Sequence, residues 1–137
     1  MHQGRMAVLH MAGQPSPPAR ELPMAIFTIP EISCVGLTEE QCREQGLPYE
    51  IGVARTAETP RGQIVRDQGL LKLIFHRETL KLLAVHILGP SSSEIIHIGQ
   101  AVLDHDGSVE YFRDAVFNYP TLAEAYKVAA MDGLDKI

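Results

Sequence analysis

The sequence predicts an α+β domain: a mainly antiparallel sheet of about five strands with helices packed on one side. Three observations carry this reading. Residues 70–75 and 82–88 are two strong apolar, strand-like runs, and the polar residues His76, Arg77, Glu78 and Thr79 between them make a hairpin the natural connection. Further strand candidates run from Met24 onward, upstream of that hairpin. The longest helical pattern, from Ser93 to His105, and a second behind Pro120 both lie downstream of it.

Bulk properties narrow the class. A chain of 137 residues is enough to bury one real core, the size of a single domain. Hydrophobic residues make up 45% and the formal net charge is -5, with no Lys/Arg cluster, which disfavours nucleic acid or an anionic membrane as partner. No apolar run approaches the ~20 residues of a membrane span. The N-terminus lacks the long apolar segment of a secretory signal. Cys34 and Cys42 are not spaced as Cys-x-x-Cys, and buried or partly buried thiols suit a reducing cytoplasm.

Taken in order, residues 4–12 read as the tail of a helix stopped by Gly13. Gln14-Pro15-Ser16-Pro17-Pro18 cannot continue it, because proline lacks the N–H and clashes with the preceding turn. Residues 1–13, 14–22 and 23–137 are therefore expected to be a stray helix, a Pro-rich linker and the domain proper. Strands are expected at 24–29 and 32–35, separated by Pro30-Glu31. Thr38 is placed to N-cap a short helix whose first turn is acidic, and Gly46 to close it. Residues 49–57 alternate as a half-buried strand until Thr59-Pro60-Arg61-Gly62 interrupts. Ser91, Ser92 and Ser93 offer N-caps for the long helix, and Gly107 ends it. That helix is apolar on more than one side, as if it met a partner besides its own sheet, and Gly99 leaves a flat spot for close approach. A short helix at 109–113 leads to Phe117-Asn118-Tyr119-Pro120-Thr121-Leu122-Ala123-Glu124. Here Thr121 and Glu124 have capping-box spacing.

Three stretches resemble one family. Gln3-Gly4-Arg5 is similar to the last helix of the FAD-binding domain of the pyridine nucleotide–disulfide oxidoreductases. Phe27-Thr28-Ile29-Pro30-Glu31 with Val35-Gly36-Leu37-Thr38-Glu39 is similar to the opening of their interface domain. Tyr119-Pro120-Thr121 with Glu124 resembles their C-terminal His-Pro-Thr-x-x-Glu pattern, with Tyr119 where the family places its catalytic His. The Phe-Asn-Tyr-Pro-Thr form resembles the soluble, FAD-dependent NAD(P) transhydrogenase subgroup. The resemblance implies the dimerisation-domain fold and makes residues 1–13 a remnant of an upstream FAD-binding domain in a truncated chain. It also implies FAD and NAD(P) in a complete protein, with none expected on this chain alone, and a cis Tyr119–Pro120 bond. The homodimer it implies would form through the helix from Ser93 to His105 and the region from Phe117 to Glu124.

On that basis Tyr119 and Glu124 are the candidate catalytic residues, and Tyr119 and Pro120 the candidate cofactor contacts. In disulfide-reducing relatives the His shuttles a proton at near-neutral pKa. A Tyr, with an ordinary pKa of about 10, replaces that role poorly and favours hydride exchange that needs no thiol acid. The plain alternative is that Glu124 completes a helix cap and Tyr119 packs at the interface, which makes the chain a non-catalytic dimerisation module. A disulfide-reductase remnant is a further alternative. No metal site is expected, because His76, His86, His97 and His105 lack ligand spacing; Glu94 and His97, one turn apart, could instead bond across a dimer. No Gly-x-Gly-x-x-Gly cradle is present for a dinucleotide pyrophosphate, so the chain alone should be inactive.

Overall fold

A computed structural model of the chain describes residues 2–15 and 21–137. The centre of the Pro-rich linker, residues 16–20, and Met1 lie outside the described residues. Five strands form one sheet in the order β1-β2-β5-β4-β3, with every neighbouring pair antiparallel. They are β1 (Met24–Ile26), β2 (Ile32–Gly36), β3 (Tyr49–Arg55), β4 (Leu70–His76) and β5 (Leu82–Leu88). The helices are α1 (His2–Met11), α2 (Glu39–Glu44), α3 (Pro60–Val65), α4 (Ser92–Asp104), α5 (Glu110–Asp114) and α6 (Glu124–Leu134).

Strand alternation sorts the core into two faces. Leu71, Leu73 and Phe75 of β4 and Val85 and Ile87 of β5 pack against Ile96 of α4, Phe112 of α5 and Tyr126, Ala129 and Ala130 of α6. The helices are not confined to that side, however. Ile74 and Ala84 point the other way, and the buried Cys42 of α2 covers them together with Leu37, Leu47 and Ile51. A six-residue helix with one fully buried side chain suffices for this smaller patch, so α2 takes the face the longer helices leave open. Thr38 caps α2 in a full capping box: its hydroxyl accepts from Gln41 N at 3.2 Å, and its own N–H donates to Gln41 Oε1 at 2.8 Å. Gly46, at φ +64°, ends the helix.

Several boundaries differ from the sequence reading. β1 stops at Ile26 because its register with β2 closes at Ile26↔Ile32, and residues 27–31 form the connecting turn. Pro30 has no ladder donor to offer there. The Ile29–Pro30 and Tyr119–Pro120 bonds are both cis. β3 ends at Arg55 and is followed by a 3-10 turn, Thr56–Glu58, and then α3. The interruption expected at Thr59-Pro60 is itself a helix start, with Thr59 as N-cap to Gly62 N at 3.2 Å and Pro60 in the first turn. The serines before α4 do not cap it with their side chains. Ser91 sits in the left-handed region at φ +61°, and the Glu31 carboxylate does the capping, accepting from Ser93 N at 3.3 Å and Ser93 Oγ at 2.9 Å. A carboxylate near the first turn also complements the helix dipole. At the other end Asp106 takes the left-handed position (φ +54°), and Gly107 N donates to Val102 O at 2.8 Å in a Schellman closure.

Where α6 crosses β3, glycine faces glycine. A Cβ on Gly52 of β3 would run into the Ala129 carbonyl of α6, and one on Gly133 would come within 3.0 Å of the Gly52 Cα. The edge strand and α6 therefore meet backbone to backbone. On the opposite face, α2 is tied to the sheet by Lys72 Nζ to Glu39 Oε1 at 2.7 Å, and this bond holds the Glu39 carboxyl below its ordinary range. His86 Nε2 lies 3.1 Å from Leu37 O. Burial, with the Lys72 ammonium second, holds its imidazole below the ordinary value.

Gly52→Ala is expected to cost about 2 kcal/mol or more in urea denaturation, at the upper end of overpacking penalties, because the obstruction is backbone. The depressed His86 means that the unfolded chain takes up that proton first as pH falls below about 6.5. Its contribution is complete above that pH and is lost below it. Thermal midpoints should therefore drop more between about pH 7.5 and about pH 5.5 (roughly one unit either side of the ordinary His value) for the wild type than for His86→Gln.

Candidate functional site

The segment between α5 and α6, residues 115–123, is long, irregular and fastened at several points. Phe117 packs against the main core. Lys127 Nζ of α6 donates to Ala115 O at 3.1 Å, and Thr121 Oγ1 donates to Asn118 O at 2.7 Å. The Glu124 carboxylate accepts from Thr121 N at 3.3 Å. Only this half of the expected capping box forms. The Thr121 hydroxyl donates to Asn118 O and does not accept from the Glu124 amide, and α6 begins at Glu124 behind Ala123 without a side-chain cap. Just upstream, Arg113 closes α5 with bonds to both Asp114 oxygens at 2.7 and 2.8 Å, which hold that carboxyl below its usual range.

On this fastened loop Tyr119 points away from the domain and is 72% exposed, and Pro120 is exposed beside it. Glu124 is half-buried at the root of the loop. The candidate residues thus share one loop and one helix start, with the aromatic hydroxyl at the tip and the carboxylate turned back to the Thr121 amide. Val116, 96% exposed, adds an apolar side chain to the same surface. A separate hollow of about 420 Å³ is lined by Ile98, Ala101, Val102, His105, Gly107 and Tyr111.

Tyr126, in the first turn of α6, ties that helix to α4. It is fully buried, its ring lies 4.8 Å from that of Phe112, and its hydroxyl donates to Ile95 O at 2.9 Å and accepts from Gly99 N at 3.1 Å. Burial raises its pKa well above the ordinary tyrosine value. Gly99 is the flat spot that admits it, since a Cβ there would sit 2.5 Å from Val85 Cγ2 and 3.0 Å from the Tyr126 hydroxyl. The close approach foreseen at Gly99 is therefore intramolecular. Sequence reasoning passed over Tyr126 because nothing local marks which of two nearby tyrosines is buried, and over Glu31 because its helix lies 62 residues away.

The histidines are placed singly. His76 Nδ1 accepts from Thr79 N in the hairpin turn, and His97 Nδ1 is 2.8 Å from Gln100 Oε1 on its own helix. Among the described residues no group of three or more His, Cys, Asp or Glu is arranged to hold a metal ion. Cys34 and Cys42 are free thiols, and no helix among the described residues is long and apolar enough to cross a membrane.

The chain is similar to several known proteins. Soluble pyridine nucleotide transhydrogenases of Mycobacterium bovis and Mycobacterium tuberculosis are 54% identical over 139 residues, which cover 100% of this chain and 30% of theirs. That of Hahella chejuensis is 51% identical over 121 residues, covering 85% of this chain and 26% of its own. The chain thus spans about a third of the length of these curated relatives. Among solved structures, the HOCl-induced flavoprotein disulfide reductase RclA of Escherichia coli aligns with a TM-score of 0.82 at 28% identity, over 93% of this chain and 30% of that one. LpdA of Mycobacterium tuberculosis shares the fold at a TM-score of 0.83 and 23% identity, over 94% of this chain and 29% of that one. Residues 22–130 match the family described as pyridine nucleotide-disulphide oxidoreductase, dimerisation domain, and the chain belongs to that family.

Proposed function

We propose that this chain is the C-terminal dimerisation domain of a soluble, FAD-dependent NAD(P)+ transhydrogenase, which exchanges hydride between NADPH and NAD+ as a cytoplasmic homodimer. The observation that carries the proposal is Tyr119. It is held out on a loop fastened by Phe117, Lys127 and Glu124, yet it meets little of its own chain. A side chain fixed at its root and exposed at its tip is suited to complete a site on another body. The apolar hollow along α4 and α5 is suited to bring that body close. The high identity to the transhydrogenases supports the subgroup, and free thiols suit a reducing compartment.

Bound flavin would supply the two-electron relay. The chain's own residues fit the edge of such a group rather than its cradle: a solvent-facing aromatic ring at Tyr119, stiffened by Pro120, with Glu124 bracing the loop from behind. Tyr119 can cover and hydrogen-bond a ring system, but it lacks the imidazole that relatives use to shuttle a proton to a thiolate. This favours nucleotide-to-nucleotide exchange over disulfide reduction. Helix α1, with Val8 62% and Met11 81% exposed, fits better as part of a nucleotide-binding unit than as part of this domain.

A chimera tests the reading. The corresponding C-terminal part of the Mycobacterium tuberculosis transhydrogenase is replaced by this chain, and NADPH-dependent reduction of an NAD+ analogue is followed. The expected product is a flavin-loaded dimer with transhydrogenase activity, which Tyr119→Phe, by removing one hydrogen bond, lowers by up to about tenfold without loss of flavin or dimer. A flavin-loaded dimer that reduces disulfides but does not exchange hydride between nucleotides would overturn the assignment.

A further inference from the structure

The outer edge of β3 carries an unusual set of hydrogen bonds. Ile51 and Val53, two residues apart, turn their backbone groups to the side away from β4, and three of those groups are taken by side chains. Ile51 N donates to Glu50 Oε1 at 3.1 Å, Ile51 O accepts from Lys136 Nζ at 3.0 Å, and Val53 N donates to Asp132 Oδ2 at 2.8 Å. Asp132 and Lys136, one turn apart on and just past α6, are themselves paired at 2.6 Å. Glu50 is steadied from its other oxygen by Arg77 at 3.6 Å. The Gly52–Gly133 crossing brings α6 close enough for these short reaches.

We propose that Asp132 and Lys136, with Glu50, form a guard that closes the β3 edge against strand addition by a second copy of the chain. An edge strand of seven residues with free donors and acceptors is a template for antiparallel pairing with its own copy. Charged side chains seated on those groups remove the template. At the other end of the sheet β1 is only three residues long and offers little to pair with. The consequence concerns assembly. Edge-to-edge pairing of β3 is a two-fold contact, and a protomer with that contact as well as any other two-fold contact propagates into open chains rather than a closed oligomer. The guard therefore confines self-association to other surfaces, whichever those are.

The test uses the 137-residue chain and takes its own mass as baseline, so the result does not depend on whether the wild type is a dimer. Asp132→Ala/Lys136→Ala, which strips the edge, is expected to show at least a doubling of weight-average mass in light scattering as concentration rises, with the wild type unchanged. Asp132→Asn keeps an acceptor for Val53 N–H and should stay at the wild-type mass. Lys136→Ala alone frees only the Ile51 carbonyl from a partly exposed position near the chain end, and should give a smaller, concentration-dependent increase. It also serves as the deciding variant if the double substitution fails to fold. Overturning results are a folded double variant at wild-type mass, a Lys136→Ala chain at wild-type mass, or an Asp132→Asn chain that assembles as strongly as the double variant.

Discussion

The Tyr126 hydroxyl, buried between α6 and α4, is the contact on which the arrangement of this domain depends. It joins the helix that follows the Tyr119 loop to α4, which lines the apolar hollow. It does so through two backbone groups, Ile95 O and Gly99 N, that cannot shift independently of α4. Gly99 makes room for the ring and also lets α4 settle onto Val85 of the sheet. A buried hydroxyl with both its donor and acceptor roles used is worth about 1 kcal/mol in net stability, and more in specificity. One side chain thereby sets the spacing of α4, α6 and the sheet together.

From this contact the rest follows along α6. Toward its C-terminus the helix presses on β3 at the glycine crossing and reaches over the strand edge with Asp132 and Lys136. Toward its N-terminus it holds the loop of residues 115–123 through Lys127 and Glu124. The loop is irregular yet held at both ends, so Tyr119 is presented at a defined place while remaining exposed. This is the arrangement expected of a residue whose partner lies outside the chain. The helix thus reaches the β3 edge at one end and braces the Tyr119 loop at the other.

Much of the architecture was legible in the sequence because it rests on local patterns. The β4–β5 hairpin follows from two alternating apolar runs around a polar turn, and β5 has the expected bounds. Thr38, Glu39 and Gly46 announced α2 by cap chemistry alone. The C-terminal motif was readable as a family signature, although only one hydrogen bond of its capping box forms. What was not legible depends on distant partners. Glu31 caps a helix 62 residues downstream, and Asp132 reaches a strand 79 residues upstream. The sequence contains no periodicity that reports such pairs. The covering of the reverse face by α2 was hidden for a related reason, since a short helix shows too little pattern to say which side of a sheet it covers. α3 was signalled by Thr59-Pro60, an N-cap followed by a first-turn proline, and reading the pair only as a strand breaker missed it.

Hydrogen exchange on Tyr126→Phe tests the central claim most directly. If the hydroxyl is the joint between the two helices, its loss should speed amide exchange in α4 around residues 95–99 and in α6 together, while the β4–β5 hairpin stays protected. Faster exchange confined to α6, or no change in either helix, would show that packing alone holds them and that the joint lies elsewhere.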